Sequence, residues 1–426
     1  MTFVLLILTL ATCIVSIVRP WIGVVAYFTL AIMAPQFIWP WIFTSYRISL
    51  LIAASTFLGT IVGGANNQLN FKALKHRQNI LLLIALLLLH LSNIFTPFAD
   101  HAMPGNMIPP SFTLDSFNKI VIFYLIAVMA INTQEKLKYM FISIAFVSMY
   151  YAYWCNNIYF SGLMYVLNDN GRLAGPNGIY SDENALAMIL VTTMPFIYYA
   201  GLLVKKNIYK LGIWCFIPLL WHAVFLTASR GGMLSLAATT LFIAFRSKSK
   251  VFGIVILIGL AVAIATQASG VLNRSAETEG QDISFSDDEA ALDPRLISWR
   301  VGFDIVADYP FLGAGVSRFQ QAFPNYSETT VHVAHNTFIQ FASGSGLFAG
   351  LIYIGFFYSA FKGYRKDLRN LNSGEFLYIC NEAIAASLIA FFICAVFLDL
   401  MTYEIFYLLL IVNISKQLLS EERIRK

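Results

Sequence analysis

Residues 79–95 read NILLLIALLLLHLSNIF, an apolar run that contains one histidine and no aspartate, glutamate, lysine or arginine. A helix needs about 20 apolar residues to cross a bilayer, and this run is close to that length. Similar runs recur along the 426 residues, of which 58% are hydrophobic and only 12% are charged. Because soluble globular proteins are about a quarter charged, the sequence predicts an all-α polytopic membrane protein.

The apolar runs predict about 12–13 transmembrane helices. The first 18 residues have no basic stretch and no small-residue cleavage site, so we interpret them as a membrane helix and not as a cleaved signal. If residues 2–18 and 21–38 both span the bilayer, Met1 lies outside; if they form one broken unit, Met1 lies inside. The predicted spans are 2–18, 21–38, 47–64, 79–95, 117–131, 138–158, 184–204, 208–227, 231–246, 250–269, 335–361, 376–398 and 400–416.

Lysine and arginine cluster in short loops that alternate along the chain from Lys72 onward. Basic loops stay in the cytoplasm, so the +5 net charge reports orientation and not a nucleic-acid partner. This topology divides the chain into membrane helices (1–269), one large outside loop (270–334), C-terminal membrane helices (335–416) and a cytoplasmic tail (417–426).

The outside loop begins with an acidic, polar segment and then becomes amphipathic. Asp293 and Pro294 are typical of a helix start, and Tyr309-Pro310 stops the helix, which predicts a helix over 294–308. Arg295 and Arg300 border its apolar stripe, an arrangement typical of a helix that lies on the membrane surface over a cavity. The stripe, which we expect to be the buried face, consists of Leu296, Trp299, Phe303 and Val306.

Three outside residues could perform chemistry together. Arg230 and Arg295 keep their charge at any working pH and can bind phosphate through two hydrogen bonds. His335 follows the loop and can accept a proton near neutral pH. Each also has a simpler interpretation, because arginines at membrane helix ends often reach lipid headgroups and a histidine at a helix start is often a cap.

Metal binding has weaker support. His332 and His335 are three residues apart, but no third ligand has suitable spacing. An acidic cluster in the outside loop could bind a divalent cation, but we favour a solvated loop; the cluster comprises Asp282, Asp287, Asp288 and Glu289. The five cysteines form no CxxC pair. We therefore predict neither a metal nor another cofactor.

The stretch GRLAGPNGIYSDENALAM, residues 171–188, precedes another helix. Asp182 can cap that helix, and Glu183 lies in its first turn, where negative charge is favourable. This leaves Arg172 without a structural role, so Arg172 is a further candidate for anion binding.

Four motifs occur in a fixed order: GRLAGPNG…DENA, TASRGG, PRLISWRVGFDIVADYPFLGAG and AHNTFIQFASGSG. In this order and with these spacings they resemble the O-antigen ligase and polymerase superfamily, over roughly residues 170–360. The stretch 19–43, RPWIGVVAYFTLAIMAPQFIWPWIF, is similar to the branch of probable O-glycosylation ligases associated with the exosortase system.

The resemblance implies a GT-C-like, metal-independent, inverting glycosyltransferase in the bacterial inner membrane. Such an enzyme passes a glycan from a polyprenyl-diphosphate carrier to a hydroxyl of a glycan, lipid or protein acceptor on the periplasmic face. The implied diphosphate ligands are Arg230 and Arg295, with Arg300 in reserve, and the implied general base is His335. The supporting residues are Asn336, which orients the base or caps the helix, His332, and Asn184, which with Arg172 matches a further family pattern.

The chain departs from the family pattern at one position, and two alternative functions remain open. Relatives often have an acidic residue two positions before Gly346, where this chain has Gly344. A polymerase of the same superfamily would use a second lipid-linked glycan as acceptor. A lipid-linked sugar transporter would place charges near mid-membrane, whereas the main ionisable residues within or beside the predicted spans are His90, Asp399 and Glu404.

Overall fold

The computed structural model shows an α-helical protein. Residues 335–361, which we expected to form one span, are interrupted, and so is the predicted span 208–227. The residues that the structure describes are 2–43, 48–101, 105, 107–162, 171–247, 253–254, 257–262 and 294–425. Asp293 and the acidic cluster of the outside loop therefore lie outside the described residues.

The helices follow one another with short connections. No strand is found in the described ranges, so the all-α class is confirmed. The labelled helices are α1 (Thr2–Val18), α2 (Pro20–Met33), α3 (Pro35–Ile38), α4 (Pro40–Phe43), α5 (Ile48–Ala65), α6 (Arg77–Ile94), α7 (Pro110–Ala130), α8 (Gln134–Phe160), α9 (Glu183–Leu203), α10 (Asn207–Trp214), α11 (Phe216–Thr227), α12 (Arg230–Arg246), α13 (Pro294–Asp308), α14 (Phe319–Ala322), α15 (Thr337–Ser345), α16 (Leu347–Asn370), α17 (Phe376–Ala395) and α18 (Glu404–Arg425).

The apolar helices are long enough for a multi-pass membrane protein. Within the described residues, six helical segments have the length and composition to cross a bilayer: α6, α7, α9, α10 with α11, α16 and α17. Three shorter apolar helices lie near the N-terminus, in α1, α2 and α5. The polytopic class is therefore confirmed, whereas the total of about 12–13 spans stays a prediction.

Hydrogen bonds between connections define two ends of the bundle. At the first, which we call the basic end, the amide of Asn132 donates to the carbonyl of Gln68 (2.9 Å), and Arg423 pairs with Glu375. At the second, which we call the loop end, the hydroxyl of Tyr403 donates to the carbonyl of Ile179 (3.0 Å). The loop end consists of residues 95–109, 171–182, 228–229, 294–346 and 396–403, without the masked positions.

The basic end contains buried ion pairs that the sequence interpretation missed. Lys416 is fully buried and pairs with Asp367 (2.7 Å), and the guanidinium of Arg246 makes three hydrogen bonds to the carboxylate of Glu382. His90, Asp399 and Glu404 are therefore not the main ionisable residues within the helices. Sequence alone did not reveal these pairs because their partners lie on different helices.

The predicted helix 294–308 is confirmed as α13. The face that it packs against the protein differs from the predicted membrane-facing stripe, whose contact with the membrane stays a prediction. Leu296 and Phe303 are 50% and 64% exposed. The buried face carries Ile297, Val301 and Ile305 instead. Gly302 explains this choice, because a Cβ there would lie 2.2 Å from Ile339 of α15, so only glycine lets the two helices pack so closely.

The predicted helix 335–361 is broken at Gly346, where φ is +91°. The chain segment that follows α13 packs into this break: the Leu347 N–H donates to the Pro310 carbonyl (2.8 Å), and the Ala314 N–H donates to the Ser343 carbonyl (2.7 Å). A Cβ at Gly346 would lie 2.0 Å from the Phe311 carbonyl oxygen. The small-residue run SGSG thus positions the loop end against the membrane helices.

Candidate active site

Arg230 is the first residue of α12, and the structure places it beside the turn between α17 and α18. Ser229 caps the helix by accepting a hydrogen bond from the Gly232 N–H (3.2 Å). A Cβ on Gly231 would lie 3.2 Å from Phe397 of that turn, and a Cβ on Gly232 would lie 2.6 Å from Ala187 of α9. The two glycines therefore let the positive end of the α12 dipole approach its neighbours, with the Arg230 side chain exposed.

A groove at the loop end brings Arg230 and Arg295 together. It has a volume of ≈ 330 Å³, and Trp299 and Phe397 form part of its wall. A smaller cleft beside it is lined by Arg295 and by Asn184. The indole N–H of Trp299 is buried and has no hydrogen-bond partner among the described residues. Two arginine side chains therefore border one groove, a composition suited to an anion.

His335 lies directly before α15 in a left-handed backbone conformation, with φ of +50°. The helix begins two residues later, because the Asn336 side chain accepts hydrogen bonds from the N–H groups of Phe338 (2.9 Å) and Ile339 (3.1 Å). Of the two roles considered for Asn336, orienting the base and capping the helix, these contacts show the cap. His335 is half-buried in the connection that the cap holds.

Asp399, in the turn between α17 and α18, holds the backbone around His335. Its carboxylate accepts a hydrogen bond from the Asn336 N–H (3.2 Å), and the N–H groups of Ala334 and His335 also stabilise its charged form. Burial opposes them and raises the pKa of Asp399 to about 6. Asp399 therefore fixes the backbone of the His335 segment, a role that sequence reasoning did not assign.

Thr337 attaches the same turn to α15. Its hydroxyl donates to the Leu398 carbonyl (2.6 Å) and accepts from the Leu400 N–H (3.0 Å). The turn 396–403 therefore borders the arginine groove through Phe397 and the His335 segment through Asp399. Arg230, Arg295 and His335 lie around one turn at one end of the bundle.

Arg172 has the structural role that the sequence interpretation denied it. Its guanidinium donates to the carbonyl of Thr227 (2.9 Å) and to the side chain of Asn184 (3.2 Å), and it pairs with Glu183. Arg172 thus joins the start of α9 to the end of α11. The predicted cap of α9 is confirmed, since Asp182 accepts from the Asn184 and Ala185 N–H groups.

The remaining candidates are more peripheral. Arg300 is exposed and lies five residues from Arg295, about 140° around the helix. The ring of His332 packs edge-on against Phe323, with centroids 6.4 Å apart. Within the described ranges, no group of three or more His, Cys, Asp or Glu side chains has the arrangement of a metal site.

Two family models match parts of the chain. A family model described as O-antigen ligase matches residues 215–354, a range that contains Arg230, Arg295 and His335. A model for a family of unknown function matches residues 1–201. No curated protein matches the chain. The chain is a multi-pass membrane protein with an O-antigen ligase domain over residues 215–354.

Proposed function

We propose that the protein transfers a glycan from a polyprenyl-diphosphate carrier to an acceptor hydroxyl at the loop end. The observation that carries this proposal is the turn 396–403, which borders both the groove of Arg230 and Arg295 and the His335 segment. The basic end would face the cytoplasm, so the loop end would face the periplasm of a bacterial inner membrane. The stretch 19–43 supports the exosortase-associated branch of the superfamily.

The donor diphosphate would lie in the arginine groove. Its charge increases as the sugar leaves, and fixed cations beside a low-dielectric region stabilise that charge more than water does. Arg230 and Arg295 supply the cations, and the N-terminus of α12 adds a favourable dipole. Arg172 contributes through Asn184, whose side chain it holds at the edge of the adjoining cleft.

His335 would act as the general base. The acceptor hydroxyl oxygen attacks the anomeric carbon while the imidazole takes the hydroxyl proton. The bond from that carbon to the diphosphate breaks, and its electron pair leaves with the diphosphate. Attack from the opposite side inverts the anomeric configuration, which agrees with the inverting mechanism implied by the family resemblance.

Reconstitution tests the proposal directly. The purified chain in liposomes receives a labelled lipid-diphosphate glycan together with a lipid, protein or glycan acceptor, with and without a chelator. We expect label to move to one acceptor class, with inverted linkage and with no effect of the chelator. Transfer to a second lipid-linked glycan instead would identify a polymerase. Movement of intact donor across the bilayer without transfer would identify a transporter.

The two arginines should affect the reaction differently. Arg230→Ala should lower the transfer rate by about 10²–10³-fold, because one contact to the developing charge is lost. Arg295→Ala should raise the donor KM more than the acceptor KM. Arg77→Ala removes an exposed arginine at the basic end and serves as the control. If only acceptor dependence changes in Arg295→Ala, Arg295 does not bind the diphosphate.

Asp399 should act by positioning the His335 backbone. Asp399→Ala removes the acceptor of the Asn336 N–H, and a displacement of the base by about 1 Å can cost 10²-fold in rate. We expect kcat to fall with little change in either KM, and Asp399→Asn, which keeps one acceptor oxygen, to fall less. Equal losses in Asp399→Ala and Asp399→Asn would instead assign the effect to the negative charge.

A further inference from the structure

We infer that the protein binds an anionic phospholipid at the basic end, at a site distinct from the active site and independent of the proposed reaction. The site has two parts that meet at Phe361 of α16. One is a row of cationic side chains at the end of the helix, and the other is an apolar crevice between helices. Together they match an amphiphile with a phosphate headgroup and a hydrocarbon tail.

The cationic part, which we call the basic stripe, follows one face of α16. Its residues are spaced at intervals of three and four, so they lie one above another. Lys366 pairs with Glu421 (2.8 Å), whereas no carboxylate pairs with the other three in the part of the chain that the structure describes. The basic stripe consists of Lys362, Arg365, Lys366 and Arg369.

The apolar part, which we call the tail crevice, lies between α16, α17, α18 and Phe242 of α12. It has a volume of ≈ 230 Å³, and its walls include Phe357, Phe361 and Phe392. It extends along α17 from residue 381 to residue 393, which corresponds to about 18 Å of helix. A crevice of this shape in a membrane-facing wall can hold one hydrocarbon chain.

A buried amide lies in the floor of the tail crevice. Asn413 is 1% exposed, and its Nδ2 has no hydrogen-bond partner among the described residues. A Cβ at Gly363 of α16 would meet Gln417, so Gln417 lies beside the start of the basic stripe. Asn413 precedes Gln417 in α18 and therefore lies about one helical turn deeper in the membrane. An ester carbonyl of a glycerolipid whose phosphate contacts the stripe lies below the headgroup and can accept this hydrogen bond.

Phe361 connects the two parts, since it lines both. The Arg365 guanidinium lies 5.9 Å from the centre of its ring, which holds a cation at the entrance of the tail crevice. Basic pockets between transmembrane helices on the cytoplasmic side bind anionic headgroups, and each nearby lysine or arginine strengthens the attraction. The charge and the crevice thus select the same ligand, an anionic phospholipid of the cytoplasmic leaflet.

Native mass spectrometry of the full chain in detergent tests this inference. The probes are dioleoyl phosphatidylglycerol, dioleoyl phosphatidylcholine and glycerol 3-phosphate. We expect phosphatidylglycerol to bind about tenfold more tightly than phosphatidylcholine, and glycerol 3-phosphate to give no retained adduct. Equal binding of the two phospholipids, or retention of glycerol 3-phosphate alone, would overturn the inference.

Variants of the basic stripe test headgroup binding separately from tail binding. Lys362→Ala/Arg365→Ala/Arg369→Ala should weaken phosphatidylglycerol binding about tenfold and leave phosphatidylcholine binding unchanged. The matched control, Lys72→Ala/Lys75→Ala/Arg77→Ala, removes three charges from exposed positions elsewhere at the basic end. An equal loss in the control would show unspecific charge attraction and overturn the site.

The tail crevice is tested by filling it. Ala385→Trp projects a large side chain from a half-exposed wall position and should weaken binding of both phospholipids, and Phe361→Ala provides a second variant if Ala385→Trp does not fold. Unchanged phospholipid binding in both variants would contradict the tail position. Loss of a dimer in either variant, without loss of lipid, would instead identify the crevice as an interface between copies.

Discussion

His335→Ala should lower the rate of glycan transfer by about 10²–10⁴-fold, the usual contribution of a positioned general base. The backbone explains why this histidine is suited to the role. Asn336 caps α15, and Asp399 accepts from the Asn336 N–H, so the half-buried His335 lies in a fixed connection. The turn that holds this connection also borders the arginine groove through Phe397. The measurement is single-turnover transfer from a labelled lipid-diphosphate donor in liposomes, with the variant at an equal membrane level.

A matched histidine provides the control. His332→Ala changes the same connection three residues earlier, but this ring packs against Phe323, so we expect most of the activity to remain. Added imidazole should partly restore transfer in His335→Ala, because a small base can enter the space that the ring vacates. Near-normal transfer by His335→Ala would show that His335 is not the general base. The diphosphate site would be unaffected by that result, because the arginine variants test it separately.

Lys416→Met should destabilise the folded protein by about 3–5 kcal/mol, because it leaves a buried carboxylate without its cation. Lys416 is fully buried, pairs with Asp367 (2.7 Å) and donates to the Asn381 side chain (2.6 Å). The Ser420 hydroxyl would still donate a hydrogen bond to Asp367 (2.8 Å). Thermal unfolding of the purified chain in detergent, followed by its helical circular dichroism, measures the loss.

Two further variants separate a buried charge from a lost contact. Lys416→Met/Asp367→Leu removes both charges and should recover most of the stability, since apolar pairs replace buried ion pairs with little cost. Lys366→Ala breaks the exposed pair with Glu421 between the same two helices and should cost less than about 1 kcal/mol. If the double variant is as unstable as Lys416→Met, packing and not the unpaired charge explains the loss.

Much of the candidate site was predictable because its signals are local. Proline at the first helical position and the stop at Tyr309-Pro310 predicted α13 with its observed bounds. The position of Arg230 at the start of α12 follows from the helix start that Ser229 caps. The face of α13 that packs against the protein was not predictable in the same way, because the helix has two apolar faces, the predicted stripe and the one that carries Ile297, Val301 and Ile305. Close approach at Gly302 selects between them.

Arg172 and Asp399 show the complementary case. The sequence suggested no structural role for Arg172 and showed Asp399 only as a charge near the last helices. In the structure, Arg172 binds Thr227 and Asn184, and Asp399 binds the Asn336 N–H, all of them on other segments of the chain. Hydrogen bonds between distant segments have no periodicity or spacing that a single sequence displays. Asp367, Glu382 and Lys416 were missed for the same reason.

The amino-acid sequence by itself determined the all-α membrane class, because a bilayer requires apolar runs whose backbone bonds are satisfied within each helix. It also determined the bounds of α13 and the presence of arginines and a histidine in the predicted outside segments. Only tertiary structure brought those residues around one turn and broke the helix at Gly346. The Ser92 hydroxyl donates to the Gly344 carbonyl (2.6 Å) across 252 residues, and such contacts exist only once the helices have packed.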